Sequence, residues 1–518
     1  MLAVLRAGRN LVRLIEIAFI LARYDALFPL ERIVGLRFVV RTLAIVRRRD
    51  AALARMRPGQ RLAAALQAMG PSFIKLGQGL STRADIIGEA VATDLSSLQD
   101  RLPPFPAAEA RATIESELGQ AVEFLYRRFE DTPVAAASIA QVHLAVTYEG
   151  DEVAVKILRP GIAAAFARDL DLFLWLARLV ERTQPGLRRL KPVAVVDTLA
   201  ETVRQEMDLR FEAAGASELR ENFAGDPSFR VPHVDWLRTS ERVLTLERVS
   251  GIRVDDRAAL IEAGHDVRVI LANAAAAFFN QVFRDGFFHA DLHPGNLFIV
   301  EDSAIAVVDF GIMGRLDRKT RYYLADMLLA FLQGDYRRVA EVHFEAGYVP
   351  ARQSLDTFAQ ACRSIGEPIL GRPLHEISLG RLLAQLFQVT EQFQMETQPQ
   401  LLLLQKTMVL AEGVGRLLDP SVNMWALARP HIEAWMRENR GPEARLRDAA
   451  ADTMSVLERL PTLMKDIQRL GADITEGGGL PLHPDTVAEI ARRGAIELLG
   501  LPLWIIALAL TAIALALW

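Results

Sequence analysis

The stretch that decides the fold reads Phe288-His289-Ala290-Asp291-Leu292-His293-Pro294-Gly295-Asn296-Leu297-Phe298-Ile299-Val300 and is followed by Ala306-Val307-Val308-Asp309-Phe310-Gly311. Apolar runs that read as short strands enclose a polar loop. Asn296 and Asp309 offer the hard oxygen ligands that magnesium on nucleotide phosphates prefers, and Asp291 can accept a proton or orient a nucleophile. Asp291 alone is more typical of a turn residue that caps a helix. Together, at this spacing, the three residues predict a nucleotide site.

The order and spacing of these residues are those of the catalytic and metal-binding loops of protein kinases. Lys156, in Val153-Ala154-Val155-Lys156, lies on a predicted strand after a hairpin turn, where a lysine can reach between phosphates and a helix carboxylate. The preceding strand carries Ala135-x-Ala137-x-x-Ala140-x-Val142, the register of a glycine-rich phosphate loop with alanine at each glycine position. A Cβ at these positions disfavours positive φ and a close approach of the backbone to phosphate oxygens. The loop is therefore expected to accommodate the γ-phosphate less readily than a glycine-rich loop does.

The composition excludes several classes of protein. The chain has 518 residues, enough for two or more packed units with a large apolar core. Its formal net charge is −4, which gives no electrostatic reason to expect nucleic acid as a partner. Cys362 is the single cysteine, which excludes an internal disulfide and indicates a reducing compartment without a zinc site built on cysteines.

Two further chemistries are disfavoured by the motifs. His289 and His293 are four residues apart, which on a helix could bind zinc, but Pro294 breaks the helix that this would need. No flavin or NAD fingerprint, haem motif or two-histidine-one-carboxylate set is visible in the sequence, which argues against hydroxylase chemistry.

Six motifs follow one order along the chain: Lys75-Leu76-Gly77-Gln78, Ala135-Ala136-Ala137-Ser138, Val153-Ala154-Val155-Lys156, Glu206-Met207-Asp208, His289 to Asn296, and Asp309-Phe310-Gly311. In this order they resemble the UbiB/ADCK family of atypical protein-kinase-like proteins, over roughly residues 25–440, and within it the bacterial members of ubiquinone biosynthesis. The resemblance implies an α+β, protein-kinase-like two-lobe fold: a small β-containing N-lobe and a helical C-lobe, with added N-terminal helices. A C-terminal transmembrane helix is predicted from the sequence itself, and it is shorter than the paired spans that the resemblance to the bacterial members implies. The resemblance also implies ATP or ADP and Mg²⁺ as cofactors.

The resemblance assigns roles to further residues. It implies that Lys75 and Gln78 lie in the active site, on a helix over the side where a kinase admits a peptide, and that Glu206 pairs with Lys75. It implies that Glu212 pairs with Lys156. Positions 206 and 212 of a helix point to different sides, so the two glutamates can serve different lysines. Nucleotide contacts are implied for the alanine-rich loop and for the hinge that Leu246-Glu247-Arg248-Val249 resembles, at Ala135, Ala136, Ala137, Ser138, Ala140, Val142, Glu247 and Val249.

Two departures from ordinary kinases concern the phosphate acceptor. No Ala-Pro-Glu follows Asp309-Phe310-Gly311, and a helix-like run over 319–333 begins within ten residues of Gly311. No long activation loop is therefore expected to bind a peptide. His293 stands where kinases have the lysine of the catalytic loop. Water or a lipid-like molecule is the expected acceptor.

Both ends of the chain suggest contact with a membrane. Residues 498–518 contain no charged side chain and, at about 1.5 Å per residue, are long enough to cross a hydrocarbon core of about 30 Å. Arg492 and Arg493 precede them, which favours a cytosolic location for the preceding chain. A buried helix or a hairpin is the alternative. Near the N-terminus, apolar residues at helical spacing with arginines on the other side fit either an interfacial helix or a helix packed on the main body.

Breakers and composition divide the chain into six expected parts. They are an N-terminal helical segment suited to a membrane interface (1–57), a helical extension with the Lys-x-Gly-Gln motif (58–130), a kinase-like N-lobe (131–250), a helical C-lobe (251–470), a linker (471–497) and a transmembrane anchor (498–518).

These features predict a membrane-anchored, kinase-like Mg-ATPase at the bacterial inner membrane, with its kinase-like domain on the cytosolic side. The resemblance implies that it supports ubiquinone biosynthesis by acting on or extracting polyprenyl-quinone precursors. Membrane lipid, these precursors and other enzymes of the same biosynthesis are the expected partners. Two alternatives remain open: a true kinase for a small molecule or a protein, and a nucleotide-gated scaffold without catalysis.

Overall fold

The computed structural model describes residues 2–27, 53, 55–81, 87–96, 102–183, 192–368, 385, 388–390, 392–395, 398–422 and 424–440. The chain forms two compact units, Met1–Trp435 and Met436–Trp518, and the fold described below is that of the first. The expected linker (471–497) and transmembrane anchor (498–518) lie outside the described residues, so both stay predictions. Within the described ranges, no helix combines the length and apolarity that crossing a membrane requires.

Helices make up most of the described chain. In chain order they are α1 (Leu2–Arg23), α2 (Pro58–Met69), α3 (Pro71–Ser81), α4 (Glu89–Ser96), α5 (Ala107–Leu118), α6 (Val122–Leu125), α7 (Ile162–Thr183), α8 (Pro192–Glu206), α9 (Leu209–Asn222), α10 (Arg257–Glu262), α11 (Val267–Phe279), α12 (Arg318–Leu332), α13 (Tyr336–Glu345), α14 (Leu355–Gly366), α15 (Pro399–Leu418) and α16 (Met424–Arg440).

The strands are short and fall between α6 and α12. They are β1 (Arg128–Phe129), β2 (Ala135–Ala136), β3 (Ala140–Val146), β4 (Glu152–Leu158), β5 (Phe229–Arg230), β6 (Val243–Glu247), β7 (Ile252–Arg253), β8 (Phe287–His289), β9 (Leu297–Ile299), β10 (Ile305–Val307) and β11 (Met313–Arg315). The larger sheet has the order β1-β3-β4-β6 with β2 also paired to β3, and the smaller ones have the orders β5-β10-β9-β7 and β11-β8.

The larger sheet gives Lys156 its direction. Side chains alternate across a strand, and Val153, Val155 and Ile157 of β4 are buried with Ile114 of α5 in one apolar cluster. Lys156 therefore points to the opposite face, where it stands opposite Val142 of β3 in the ladder. The predicted hairpin turn is present, with Gly150 at a φ of 99°, a conformation that favours glycine. The sheet thus presents one lysine on the face away from α5.

The two smaller sheets bring the predicted catalytic and metal-binding segments together. Antiparallel pairing places β9 beside β10 and β8 beside β11. A Cβ at Gly314 would lie 2.2 Å from the Phe288 ring, so glycine is required for this close approach of β11 to β8. Outside the ladders, the Val308 N–H donates to the Asn296 carbonyl at 3.0 Å. Asp291 comes after β8, Asp309 comes after β10 and Asn296 stands directly before β9, so the three residues lie in one region.

The N-terminal helices form a layer packed on the body of the protein. Phe73 and Ile74 of α3 are buried with Phe173 of α7 in an apolar cluster that also includes Leu21 of α1. On α1, Arg13 donates to Asp169 of α7 at 3.1 Å, so an arginine that was expected on the outer face points to the body. The apolar side chains Val12, Ile15 and Phe19 remain exposed. α1 is therefore packed on the body, and its exposed apolar stripe leaves interfacial binding a prediction.

The segment after Asp309-Phe310-Gly311 is short. β11 follows at once and α12 begins at Arg318, where Asp317 caps the helix by accepting a hydrogen bond from the Thr320 N–H at 2.7 Å. This helix contains the residues that would otherwise form an activation loop, as the sequence predicted. The structure thus provides no long loop at this position to hold a peptide.

Candidate active site

Lys156 is the centre of the predicted nucleotide site. Its Nζ lies 2.8 Å from each carboxylate oxygen of Glu212 on α9 and 2.8 Å from Oδ1 of Asp309. The side chains of Lys156 and Glu212 are 18% and 7% exposed, whereas that of Asp309 is 49% exposed. One ammonium therefore joins two carboxylates, of which one is buried and the other is open to solvent.

The charges of this cluster change the pKa values of its members. The Lys156 ammonium lowers the pKa of Asp309 well below its usual range, so this carboxylate stays ionised. Burial acts to lower the pKa of Lys156, but the charges of Asp309 and Glu212 outweigh it and raise that pKa. Burial raises the pKa of Glu212 to about 7, against the opposing effect of Lys156. With all three groups ionised the cluster is negative, which suits a divalent cation at the exposed Asp309.

The backbone at Asp309 directs its side chain to Lys156. Its φ is +66°, a left-handed conformation that aspartate adopts at a modest cost. Phe310 is buried in the main core and fixes the residue on the other side. The strained residue is thus held by its neighbour, and its carboxylate faces the site.

His289 links the two catalytic segments, a role that the sequence prediction missed. It is fully buried; its Nε2 lies 2.9 Å from the Asp309 carbonyl, and the Asp291 N–H donates to its Nδ1 at 3.1 Å. These contacts require a neutral ring with its proton on Nε2, and burial lowers the pKa of His289 accordingly. His289 is therefore a positioning residue for Asp291 and Asp309. Its place two residues before Asp291 was the signal available in the sequence.

The catalytic loop is held by its own polar groups. The Asn296 Nδ2 donates to the Asp291 carbonyl at 3.1 Å, and His293 Nδ1 accepts a hydrogen bond from the Gly295 N–H at 3.0 Å. With Nδ2 bound inside the loop, Oδ1 would be the atom of Asn296 that a cation binds. Asn296 and Asp309 are hard oxygen donors, so the residues present fit Mg²⁺ shared with nucleotide phosphates. Within the described residues, no cluster of three or more His, Cys, Asp or Glu side chains could hold a metal by itself.

A second lysine beside the catalytic loop comes from a distant helix. Lys406 of α15 places its Nζ 2.9 Å from Oδ1 of Asp291, although 115 residues separate them in the chain. No sequence pattern marked Lys406, because α15 follows the catalytic loop only after several intervening helices. The contact is visible only in the tertiary structure.

Lys75 and Glu206 form the pair that the family resemblance implied. The Lys75 Nζ lies 2.9 Å from Oε2 of Glu206, and both side chains are mostly buried. The Lys75 ammonium also contributes to lowering the pKa of Asp309, with a smaller effect than that of Lys156. α3 therefore faces the predicted nucleotide site. Gln78 is half-buried one turn further along α3, and its side chain makes no hydrogen bond with other described residues.

The alanine-rich loop lies above the strand that carries Lys156. Ala135 pairs with Val142 and Ala136 with Gln141, and the Ala137 N–H donates to the Ala140 carbonyl at 2.8 Å to close the turn. Ser138 and Ala140 are buried, whereas Ala135 is exposed. The turn therefore uses the Ala137 N–H internally, which agrees with a restrained rather than an open phosphate loop.

Arg159 fastens the tip of this loop. Its guanidinium donates to the Ala137 carbonyl at 2.9 Å and to the Pro103 carbonyl at 2.7 Å. It also lies 5.4 Å from the centre of the Phe105 ring, a cation–π distance. The loop is thus tied to the connector that precedes α5, a contact that no sequence motif indicated.

The predicted hinge follows β6. Glu247 pairs with Val153 in the ladder, and its carboxylate accepts the His233 N–H at 3.1 Å. Val249 packs with Val300 and Ala306, and its backbone N–H and C=O form no hydrogen bond with other described residues. Unpaired backbone groups at Val249 are what an adenine-binding hinge position needs. The nucleotide roles of Glu247 and Val249 stay predictions.

Comparisons with known proteins give a consistent result. Residues 97–343 match the family model of the ABC1 atypical kinase-like domain, and residues 362–423 match that of the UbiB helical domain. The chain is 45% identical over 409 residues to the "Probable protein kinase UbiB" of Marinobacter nauticus, covering 78% of this chain and 75% of that protein. It is 44% identical over 420 residues to the protein of the same name from Azotobacter vinelandii, covering 79% and 78% respectively.

A solved structure, that of Rv3197 from Mycobacterium tuberculosis in complex with erythromycin, aligns with a TM-score of 0.48 and 26% sequence identity, over 71% of this chain and 94% of that one. The match to the ABC1 domain confirms the predicted kinase-like fold. The boundaries of the six expected parts and the roles of the individual site residues stay predictions.

Proposed function

This chain belongs to the UbiB family of ABC1 atypical kinase-like proteins, which implies ubiquinone biosynthesis, and on that premise we propose that it is a magnesium-dependent ATPase. Its proposed task is to act on or extract polyprenyl-quinone precursors at the bacterial inner membrane. One observation carries the proposal: Lys156 is held within 2.8 Å of both Glu212 and Asp309. This is the lysine–glutamate pair and the metal-binding aspartate that phosphoryl-transfer enzymes of this kind must bring together.

The chain offers groups for each part of a magnesium nucleotide. Asp309 and Asn296 would hold Mg²⁺, Lys156 would contact the phosphates, and Val249 would meet adenine. Bound magnesium would neutralise charge on the phosphates as phosphoryl transfer proceeds. Asp291, beside them, would orient the acceptor hydroxyl or water.

The surroundings of the site favour water or a lipid-like acceptor over a peptide. The buried Lys75–Glu206 pair fixes α3 next to the site, and α12 begins soon after Gly311. Both features leave little room for an extended peptide. The exposed apolar side chains on α1 and the apolar segment 498–518 are the supports for a membrane location.

The test is Asp309→Asn in the full chain, with Mg-nucleotide binding measured by calorimetry and phosphate release by a coupled assay. We expect a loss of at least roughly a hundredfold in turnover, because a metal ligand and a partner of Lys156 change together. Asp302→Asn is a matched control: Asp302 also has a positive φ, of 57°, but lies outside the site. Equal nucleotide binding and turnover in the Asp309→Asn form and wild type would disprove the proposal.

A true kinase is the second candidate, because the curated relatives carry the name "Probable protein kinase UbiB". ATP labelled at the γ-phosphate separates the two. Label in free phosphate supports the ATPase, and label in a lipid, quinone precursor or protein supports the kinase. Nucleotide binding without any phosphate release would instead support a nucleotide-gated scaffold.

A further inference from the structure

Lys406 lies at the point where the helical segment meets the catalytic loop. It belongs to α15, within the residues that match the UbiB helical domain, and its ammonium is 2.9 Å from the Asp291 carboxylate. The side chains of Lys406 and Asp291 are 41% and 33% exposed, so the pair borders the open side of the site. The residue expected to act on the acceptor is thus paired with a cation from another part of the fold.

The catalytic loop does not provide this cation itself. Ordinary kinases have a lysine two residues after the catalytic aspartate, and this chain has His293 there. The Nδ1 of His293 accepts the Gly295 N–H, so the ring is engaged in holding the turn. In the described part of the chain, Lys406 is the cation paired with the Asp291 side chain.

The position of Lys406 is set by helix packing. Leu404 and Thr407 on either side of it are buried, and Val414 and Leu418 further along α15 belong to the main core. The C-terminal end of α15 is fixed as well, because the Arg257 Nε donates to the Leu418 carbonyl at 2.8 Å. α15 therefore presents the ammonium from a rigid element, which is what precise positioning of a catalytic group needs.

We propose that Lys406 is the positioning residue of Asp291, so that the helical segment completes the nucleotide site. This inference rests on the proposed function, since it assigns to Lys406 the orientation of the residue that orients the acceptor. Lys406 acts through Asp291 and not through the nucleotide. Its loss should therefore lower kcat and leave the KM for Mg-nucleotide nearly unchanged.

The experiment compares Lys406→Ala, Lys406→Arg and Met408→Ala in the full chain. Met408 is an exposed residue on the same helix and serves as the control for changes to the α15 surface. We expect Lys406→Ala to lower kcat roughly tenfold, because the Asp291 carboxylate loses its fixed orientation. Lys406→Arg should recover most of that loss, and Met408→Ala should behave as wild type. In an Asp291→Asn background, Lys406→Ala should cause no further loss.

Hydrogen exchange of the peptide covering residues 290–297 provides a readout that does not need activity. Lys406→Ala should speed exchange of this loop severalfold, and Lys406→Arg should not. If wild type releases no phosphate, the proposed ATPase function fails, and the exchange result alone then decides on Lys406. Unchanged loop exchange, an effect of Lys406→Ala on KM alone, or an equal effect of Met408→Ala would overturn the inference.

Discussion

Two buried lysine–glutamate pairs stand side by side in this protein with nearly the same geometry. Lys156 and Glu212 meet at 2.8 Å, and Lys75 and Glu206 meet at 2.9 Å. The four side chains are between 7% and 18% exposed. The pairs differ in their setting: Lys156 is on the central sheet and shares Asp309, whereas Lys75 is on α3 of the N-terminal layer.

A short bend in the chain joins the two pairs. Glu206 ends α8 and Glu212 lies in the first turn of α9, and Asp208 caps α9 by accepting the Arg210 N–H at 3.1 Å. The two glutamates therefore lie on two successive helices, not on the single helix that the sequence predicted, and they face different lysines. The difference teaches which proposed role suits each pair: the pair on the sheet suits the nucleotide site, and the pair on α3 suits a cover beside it.

The largest expected effect comes from breaking the first pair. Lys156→Ala should reduce nucleotide turnover roughly a hundred- to thousandfold, because the phosphates lose their cation. It should also lower the free energy of unfolding by an amount on the order of 3 kcal/mol, because Glu212 would stay buried without a partner. Phosphate release and urea unfolding measure the two effects. Turnover near the wild-type level would show that Lys156 has no part in the proposed nucleotide site.

Breaking the second pair should instead change how readily water reaches the side of the site where the phosphate acceptor binds. In the Lys75→Ala/Glu206→Gln variant, which leaves no buried carboxylate without a partner, phosphate release to water should rise severalfold because α3 loses its anchor. The melting temperature should change little. A fall in turnover, or a change confined to the melting temperature, would contradict the role of α3 as a cover.

The first pair should also make stability depend on pH. The Glu212 carboxyl has a pKa of about 7 in the folded protein against 4.5 as its ordinary value. Between these values the folded state binds more protons than the unfolded state, so this group lowers the free energy of unfolding as pH rises, by on the order of 2 kcal/mol.

Glu212→Gln removes this dependence, and urea unfolding of both forms between about pH 5 and pH 8 measures it. Buried histidines such as His289 act in the opposite direction but are present in both forms, so the difference isolates Glu212. A wild-type curve parallel to that of Glu212→Gln would show that Glu212 does not take up this proton.

The smallest effect concerns the loop above the first pair. Arg159→Ala should speed the release of fluorescent ADP about two- to fivefold, because the Ala137 carbonyl loses its tie to Pro103. Arg159→Lys keeps the charge near Phe105 but lacks the forked donors, so it should give an intermediate rate. Stopped-flow fluorescence measures the release. An unchanged rate would show that the alanine-rich loop is held by its own turn.

Sequence reasoning identified those residues of the site that belong to local patterns. Asp291, Asn296 and Asp309 lie next to strand ends at fixed spacing, and Lys156 lies on a strand after a turn, so their grouping is predictable from the sequence alone. The pairing of Lys75 with Glu206 came from the resemblance to a family, since a salt bridge across 131 residues has no local signal. Lys406 and Arg159 were missed for the same reason. The linking role of His289 was missed although its place two residues before Asp291 was a local signal.

The sequence by itself determined the kind of chemistry, because metal ligands and phosphate-binding lysines must be particular residue types at particular strand ends. Only the tertiary structure decided which charges meet. The partner of Asp291 is set by how α15 packs, and the cover over the site is set by how α3 packs on α7. Burial then sets the strength of these interactions. The pKa of a carboxylate such as that of Glu212 depends on what surrounds it in the folded protein and not on its neighbours in the chain.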